Sequence, residues 1–369
     1  MALGKTSACV LIAETECSGH HLVYVRLLVE AALRRGDSVV FATTARVLSD
    51  ERFLVHMRDL QDLIRIIPID EDVSLEHLQE LGSLLGTYAV LILDALPFGA
   101  NILLGKRLKA PELRLLIMND PRWRLEGSWK PRPKQRAKSF FLWLASRRRG
   151  QVIFWLRPPG YTSATESYVC DPVVIESGIE TVQWEAAQLR RCLGMSGEVF
   201  WFGLVGVIGE WKNASLVARA VVAANARAKA RLGLAVIGNW AAGEDRATAE
   251  TTLREGGVDF VVYDGHLTNA QVNAAVSAFD CLVLAYSTSA PNSTAGKAAA
   301  LGVRVLAAGS SSFRRFAQEI AGVQGVPLDE ESLVKGMLAS LVQPLPTLRV
   351  EYGTAEFTGP LLFIGPSAC

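Results

Sequence analysis

The segment 289–297 (sequence SAPNSTAGK) places hydroxyl, amide and amine side chains where an apolar run passes into a helical pattern. Ser, Thr and Asn are natural helix caps, and glycine permits close approach of a backbone or a ligand. Unpaired N–H groups at a helix start attract anions, and a nearby lysine adds positive charge. We therefore predict an anion site here, the alternative being a capped structural helix with a solvated lysine. The residues that would hold the anion are Ser289, Asn292, Ser293, Thr294 and Lys297.

A second group of polar residues stands near the N-terminus and after a later apolar run. Gly19, His20 and His21 begin a helical pattern, and Asn119 and Asp120 follow the run. A histidine in a cleft can act as a base or hydrogen-bond a substrate hydroxyl. We take the two histidines, Asn119 and Asp120 as candidate catalytic residues and Gly19 as a binding residue. The alternatives are a capping turn around the histidines and a plain Asn-Asp-Pro turn.

The segment 122–150 combines positive charge with aromatic side chains. It contains ten Lys or Arg residues and a single acid, with Trp and Phe residues between them. Each basic group near anionic lipid contributes about 1 kcal/mol to membrane binding. We predict an exposed excursion that contacts an anionic membrane surface or a lipid-linked acceptor, chiefly through Trp143, Arg147, Arg148 and Arg149. A solvated surface segment and another anionic acceptor are the alternatives; no aromatic RNA-binding motif is present, so no nucleic-acid partner is expected.

Two series of strands and helices could position these residues. Continuous apolar runs alternate with helical patterns up to about residue 118, and again after about residue 195, for example a strand at Val199–Val205 and a helix at 213–231. Such alternation is typical of doubly wound parallel sheets covered on both faces. We predict an α/β fold with two Rossmann-like domains at residues 1–170 and 171–345. Residues 346–369 lack a clear period and are predicted to return to the first domain as a tail.

Composition narrows the class of protein further. The 369 residues carry 38 basic and 37 acidic side chains, so no global electrostatic partner follows. The six cysteines are scattered, which argues against a disulfide framework or a zinc site, and no apolar run is long enough for a membrane helix. The acids of segment 70–72 resemble a metal motif, but acids are common at helix starts. We expect a cytoplasmic protein, at most peripheral on a membrane, without metal or cofactor.

Ordered motifs in the second half resemble a known family. They are LRRCLGM at 189–195, FGLVG at 202–206, WKN at 211–213, AVIGN at 235–239, NAAVSAFDCLVL at 273–284 and KAAALGVRVLA at 297–307. The series resembles the C-terminal domain of retaining glycosyltransferases of the family 4 type, and SGHH at 18–21 resembles that family's Gly-rich first turn. The likeness spans roughly residues 8–310. It implies the GT-B fold, with the diphosphate of a nucleotide-sugar donor at the helix start near residue 293.

Several positions depart from the family pattern. Val207 replaces an arginine, although the family lysine is present as Lys212. Ser289 and Lys297 replace a pair of glutamates, and Asn119 replaces a histidine. A lysine cannot accept hydrogen bonds from sugar hydroxyls, but Lys212 and Lys297 could flank a diphosphate where the arginine is missing.

The resemblance also implies a function and further donor contacts, at Gly206, Gly238 and Tyr263. The implied reaction is the metal-independent transfer of a sugar from a nucleotide diphosphate donor, which is a substrate and not a cofactor. The acceptor would be a lipid-linked molecule, a polysaccharide or another compound. The absent carboxylate pair supports an alternative, an inactive relative that binds a nucleotide or a partner protein. A nucleotide-sugar epimerase on the same fold is a third reading.

Overall fold

The computed structural model describes most of the chain. The described residues are 8–17, 20–118, 133–157, 167–175, 177–241, 246–287, 293–309, 317, 322–346 and 353–363. Five predicted site residues lie outside them, namely Gly19, Asn119, Asp120, Ser289 and Asn292. Residues 122–132 also lie outside; they are the first part of segment 122–150, hereafter called the basic-aromatic segment.

The first half of the chain forms a parallel sheet of seven described strands in the order β3-β2-β1-β4-β5-β6-β7. The strands are β1 (Cys9–Glu14), β2 (Ser38–Thr44), β3 (Arg65–Ile69), β4 (Ala89–Ile92), β5 (Glu112–Ile117), β6 (Gln151–Arg157) and β7 (Tyr168–Cys170). Its helices are α1 (His21–Arg34), α2 (Ala45–Ser49), α3 (Glu51–Met57), α4 (Leu75–Leu84), α5 (Asn101–Leu104) and α6 (Pro133–Ala145). Apolar residues of β1, β2 and β4 are buried on both faces of the sheet, as the continuous apolar runs require.

The second half forms a parallel sheet of six described strands in the order β10-β9-β8-β11-β12-β13. The strands are β8 (Val199–Val205), β9 (Arg231–Gly238), β10 (Asp259–Asp264), β11 (Cys281–Ala285), β12 (Arg304–Ala308) and β13 (Val323–Val326). Its helices are α7 (Ile179–Cys192), α8 (Ala214–Asn225), α9 (Arg246–Glu255), α10 (Asn269–Ser277), α11 (Ser293–Ala300) and α12 (Glu330–Ser340). Thr268 begins α10 with a capping box, in which it and Gln271 satisfy each other's backbone N–H groups.

Strand order fixes where ligands can bind. In the first sheet the order reverses between β1 and β4, and in the second between β8 and β11. At such a switch point the connections leave on opposite sides and open a crevice beyond the carboxyl ends of the strands. The residues that follow β1, β4, β8 and β11 are therefore the ones that the topology places at a binding edge.

A last helix, α13 (Thr354–Leu362), packs against α1 and β7 of the first sheet. Phe357 is fully buried there, and its ring centre lies 4.8 Å from that of Tyr24. Arg114 of β5 donates hydrogen bonds to the carbonyl oxygens of Leu361 (2.6 Å) and Phe363 (2.8 Å). The end of the chain thus completes the layer of helices over the first sheet.

The predicted α/β fold with two Rossmann-like doubly wound sheets is confirmed. β8 has its predicted bounds, whereas the helix predicted at 213–231 ends at Asn225 because its last six positions form a turn and the start of β9. The helix α13 was not foreseen in the tail. The domain boundaries proposed at residues 170 and 345 stay predictions.

Candidate functional site

A cleft of about 490 Å³ lies between the carboxyl edges of the two sheets. His20 and residues of α3 line it on the side of the first sheet, and residues after β8, β10 and β11 line it on the other. Its volume falls within the range of small-molecule sites. The structure brings five predicted residues into this lining: His20, Gly206, Lys212, Thr294 and Lys297.

Lys212 lies in the short turn between β8 and α8 and is only 6 % exposed. Its Nζ donates a hydrogen bond to the carbonyl oxygen of Val205 and lies 5.8 Å from the ring centre of Tyr286. Burial lowers the pKa of Lys212 to about 7, because a buried ammonium group loses its hydration. An anion in the cleft would restore the charged form.

Lys297 lies in α11, all of whose residues are buried. Its Nζ donates to the side-chain oxygen of Asn269 at the start of α10. Ser293, the first residue of α11, has its Oγ 3.1 Å from Nε2 of His20, so a contact joins the two sides of the cleft at this point. Ser293 of the predicted anion-binding segment therefore faces the predicted histidine, and Lys297 is buried in the lining and not solvated.

The two histidines have opposite electrostatic environments. Burial and then the charge of Lys297 lower the pKa of His20 to about 3, so this ring is neutral at pH 7. His21 places Nδ1 2.7 Å from the buried carboxylate of Glu14. Burial opposes charge on His21, but the hydrogen bond and charge of Glu14 outweigh it and raise the pKa of His21. When two neighbouring groups have different pKa values, one can carry a proton while the other accepts one.

Glu14 and Asp94 are the acidic residues beside His21, and none of these three residues is among those that line the cleft. Glu14 ends β1 and also accepts a hydrogen bond from the backbone N–H of Glu16 (2.8 Å). Asp94 follows β4, and burial raises its pKa, while the charges of His21 and Lys138 act in the opposite direction. Both residues stand at the switch point of the first sheet. Neither acid was a predicted site residue; the signal that the chain offers for them is their position at the ends of apolar runs.

Two glycines let the ends of β8 and β9 meet closely. Gly206 has φ +89° and Gly238 has φ +152°, both in the region that favours glycine. A Cβ added to Gly238 would lie 1.9 Å from the carbonyl oxygen of Gly206, and one on Gly206 would lie 3.4 Å from Nζ of Lys212. The two glycines thus let the ends of β8 and β9 approach each other closely beside Lys212.

Tyr263, a predicted donor residue, does not join this group. It is 40 % exposed on the edge strand β10, and it is not among the residues that line the cleft. Its ring lies over Gly265, where an added Cβ would come within 3.1 Å of the ring. It therefore stands at the rim.

A contact between exposed side chains crosses the cleft mouth. Nε2 of His266, in the loop after β10, lies 3.2 Å from a carboxylate oxygen of Glu51 in α3. The side-chain amide of Asn239 lies 2.9 Å from the same ring nitrogen. Glu51 is the single carboxylate among the described residues that line the cleft.

The described part of the basic-aromatic segment is an amphipathic helix. In α6, Leu142 and Ala145 are buried, while Phe140, Phe141 and Trp143 are 55 %, 52 % and 46 % exposed. The guanidinium of Arg147 lies 3.9 Å from the ring centre of Trp143. This surface of aromatic and basic groups is hereafter called the α6 patch.

The three consecutive arginines after α6 have different roles. Arg148 is half-buried and donates to the carbonyl oxygens of Leu103 and Gly105, the latter at 2.8 Å. Arg147 and Arg149 are exposed. Arg148 thus ties α6 to the loop after α5, whereas its two neighbours lie on the surface.

Metal and membrane-spanning features are absent from the described ranges. No three or more His, Cys, Asp or Glu side chains there are arranged to hold a metal ion. Asp70 and Asp72 are exposed, and Glu71 pairs with Arg46 at 3.3 Å. None of the described helices has the length and apolar character needed to cross a membrane.

Comparisons with known proteins identify the fold. No protein-family model and no curated protein sequence matches the chain. Among solved structures, Alr3699/HepE of Anabaena, in complex with UDP and glucose, has a TM-score of 0.61 at 11 % identity, covering 96 % of this chain and 93 % of its own. Sucrose-phosphate synthase of Thermosynechococcus elongatus has a TM-score of 0.61 at 13 % identity with the same coverage. WaaG, a glycosyltransferase involved in lipopolysaccharide biosynthesis, has a TM-score of 0.57 at 14 % identity, covering 90 % of each chain.

These similarities define a class by architecture. The chain has the GT-B fold of glycosyltransferases, as the motifs predicted. Identities of 11–14 % show the fold alone. Membership of the retaining family 4 type stays a prediction.

Proposed function

We propose that the protein transfers a sugar from a nucleoside diphosphate donor to an acceptor hydroxyl, without a metal ion, in the cleft between the sheets. The observation that carries this proposal is the pair Lys212 and Lys297, two buried amines in the lining beside the start of α11. Buried cations are costly unless an anion accompanies them, and two together suit a diphosphate.

The donor side would stabilise the leaving group. As the bond between the sugar C1 and the β-phosphate oxygen breaks, its electron pair remains on the diphosphate. Lys212 and Lys297 would neutralise that charge, with the first N–H groups of α11 beside them. Since the two amines are already buried and held by hydrogen bonds, little reorganisation would accompany the step.

The other side would take the proton. Glu14 holds Nδ1 of His21, so Nε2 is the nitrogen that can accept the proton of the acceptor hydroxyl as its oxygen bonds to C1. His20 is neutral at pH 7 and stands at Ser293, where it can hydrogen-bond the donor sugar or phosphate without adding charge. Asp94 stands near His21 and would accept a hydrogen bond from the acceptor.

The decisive experiment separates binding from transfer. We expect at least one of UDP, GDP, ADP and dTDP to raise the melting temperature, by an amount corresponding to about 2.7 kcal/mol at 100 times its Kd. The matching nucleotide sugar should then release nucleoside diphosphate when an acceptor is present. This release should continue when EDTA removes metal ions. Absence of any stabilisation by the four nucleotides would refute the donor site.

We also propose that the protein meets its acceptor at an anionic membrane surface through the α6 patch. Exposed Phe140, Phe141 and Trp143 can enter the lipid interface, while Arg147 and Arg149 pair with headgroups. Lys138 of the same helix is near enough to Asp94 to influence its charge, so a lipid-linked acceptor bound at α6 would approach the acidic residues beside His21.

Vesicle sedimentation tests the surface. The protein should bind vesicles containing phosphatidylglycerol more tightly than neutral ones, and the double variant Arg147→Gln/Arg149→Gln should lose roughly 2 kcal/mol of that binding. Arg227→Gln/Arg231→Gln, on the second sheet's side, is a matched control that should bind like the parent. Equal binding to neutral and anionic vesicles would contradict the proposal.

A non-catalytic relative that binds a nucleotide is the second candidate. The observation in its favour is that Lys297 occupies the place of a family glutamate, so no carboxylate of α11 can orient the donor sugar. Nucleoside diphosphate binding with neither transfer nor hydrolysis of any nucleotide sugar would favour it.

A further inference from the structure

A buried tyrosine–carboxylate pair lies directly behind the cleft. Asp171, in the connector after β7, is 1 % exposed, and its Oδ1 accepts a hydrogen bond of 2.6 Å from the hydroxyl of Tyr24 in α1. Its Oδ2 has no hydrogen-bond partner within the described residues. A buried carboxylate oxygen without a partner is unfavourable in a structural role, so this group requires another explanation.

The pair is linked to the donor site on both sides. The ring of Tyr24 stacks under that of His20, with ring centres 5.9 Å apart, and His20 contacts Ser293 at the start of α11. On the other side, Asp171 is near enough to Lys297 for their charges to interact.

The connector itself is tied to the same lysine. The carbonyl oxygen of Val174 accepts hydrogen bonds from the side chains of Asn269 (3.4 Å) and Asn273 (3.2 Å). Asn269 in turn accepts the hydrogen bond of Lys297. Asp171 thus lies in a closed ring of contacts that runs through α1, α11, α10 and the connector.

We propose that Asp171 is a positioning residue of the donor site: with Tyr24 it balances the charge of buried Lys297 while the cleft is empty, and it takes up a proton when a nucleoside diphosphate binds. The inference rests on the proposed donor site. The negative charge that arrives with the diphosphate replaces the carboxylate as the counter-charge of Lys297. The uncharged acid can remain buried beside Tyr24.

The electrostatics set the direction of the effect. Burial raises the pKa of Asp171 to about 7, against the hydrogen bond of Tyr24 and the charge of Lys297, which both lower it. The other titratable groups around this ring are His20, which is neutral at pH 7, and Lys212, whose pKa is also about 7. A bound diphosphate disfavours the carboxylate and favours ammonium on Lys212. Both groups therefore take up protons on binding, and both weaken the affinity as the pH rises above 7.

The test compares Asp171→Asn with the parent protein by calorimetry at pH 6 and pH 8, using whichever of UDP, GDP, ADP and dTDP binds most tightly. Asparagine has the shape of the protonated acid and no charge. The variant should bind within twofold of the parent at pH 6 and about 3- to 10-fold more tightly at pH 8, because it avoids the protonation that the parent requires. Tyr24→Phe, which removes the bond that favours the carboxylate, should shift affinity at pH 8 in the same direction by a smaller factor.

A second readout isolates the proton. Titrations at pH 8 in buffers of different ionisation enthalpy should show about half a proton fewer taken up by Asp171→Asn than by the parent. The control Asp259→Asn, at the start of β10 where the carboxylate pairs with Arg231 at 2.8 Å, should match the parent at both pH values. Lys212→Met should lose a separate share of the uptake.

The outcomes separate this inference from the proposed function. Tighter binding of Asp171→Asn than of the parent at pH 8, but not at pH 6, supports the proton uptake. Equal or weaker binding of Asp171→Asn at both pH values, with an unchanged melting temperature, overturns it and leaves the donor site standing. If Asp171→Asn does not fold, Tyr24→Phe decides by the same comparison. A parent protein that binds none of the four nucleotides overturns both proposals.

Discussion

The carboxyl edges of the two sheets bury side chains of opposite charge at equivalent topological positions. At the switch point of the first sheet, Glu14 and Asp94 surround His21. At that of the second sheet, Lys212 and Lys297 are held by neutral oxygens of Val205 and Asn269. Both sheets form a crevice at the switch point of their strand order. The chemistry of each edge therefore depends on the few residues that follow the strands there.

Because the two edges differ in charge, each would favour a different part of a reaction that takes place between them. An acidic edge with a histidine favours the side from which a proton is removed, and a cationic edge favours the side where negative charge accumulates. A substrate that spans the cleft would be polarised by both. Changes on the two edges should therefore affect different measurements, which the following variants test.

The largest effect is expected on the acidic edge. His21→Gln removes the base and should lower kcat for sugar transfer by about 10²- to 10⁴-fold, while the Kd of the nucleoside diphosphate changes less than about twofold. Steady-state kinetics and calorimetry measure the two quantities, with the exposed residue His77 of α4, changed to Gln, as the control. A parallel loss of nucleotide affinity would place His21 on the donor side and remove the distinction between the edges.

A smaller effect, in binding, is expected on the cationic edge. Lys297→Met keeps the length of the side chain but removes a charge-assisted hydrogen bond, so the Kd of the nucleoside diphosphate should rise about 10- to 100-fold. Calorimetry measures this, with circular dichroism melting as a check of the fold. Lys335→Met, at an exposed position of α12, should bind as the parent does. An unchanged Kd for Lys297→Met would show that the lysine has only a structural role.

The cationic edge should also cost stability in the empty protein. Folding lowers the pKa of Lys212 from 10.5 to about 7, so the native state disfavours the charged form. The resulting loss in the free energy of unfolding is complete below pH 7 and disappears as the pH rises toward 10.5. Lys212→Met should therefore melt about 5 °C or more above the parent at pH 6, with the difference vanishing near pH 10. A difference that does not depend on pH would indicate a packing effect.

The smallest effect is expected where the edges touch. Glu51 and His266 are mostly exposed, and exposed pairs contribute about 0–1 kcal/mol. Glu51→Gln should change nucleotide affinity less than about fivefold, and the change should shrink in 0.5 M salt. A larger change that persists in high salt would mean that this contact sets the closure of the cleft.

The sequence predicted the fold because apolar periodicity depends on burial, which the structure retains. His20 and Lys297 were candidates because they stand at the starts of helical patterns, and Lys212 because the family resemblance carries a lysine there. The structure brings all three into the lining of one cleft, and their roles stay predictions. The sequence did not identify Glu14, Asp94 or the pair Tyr24–Asp171. Glu14 and Asp94 both follow apolar runs, but that position alone does not distinguish a buried acid from a solvated one.

Asp171 and Tyr24 illustrate the remaining difficulty. They are 147 residues apart in the chain and meet only because α1 and the connector after β7 pack together. Similarly, the consecutive residues Arg147, Arg148 and Arg149 are equivalent in sequence, but Arg148 turns inward to the carbonyl groups of Leu103 and Gly105. Long-range contacts of single side chains have no periodic signal, so a single sequence does not reveal them.

The position of α13 has a consequence for the order in which the protein is made. Tyr24 and Phe357 share a buried contact, although α13 follows β7 by roughly 190 residues. At a synthesis rate of 5–20 residues per second, the first sheet waits roughly 10–40 s on the ribosome before its last covering helix appears. During that interval the face of α1 behind His20 lacks its cover. The half of the molecule that is synthesised first is therefore the half that is finished last.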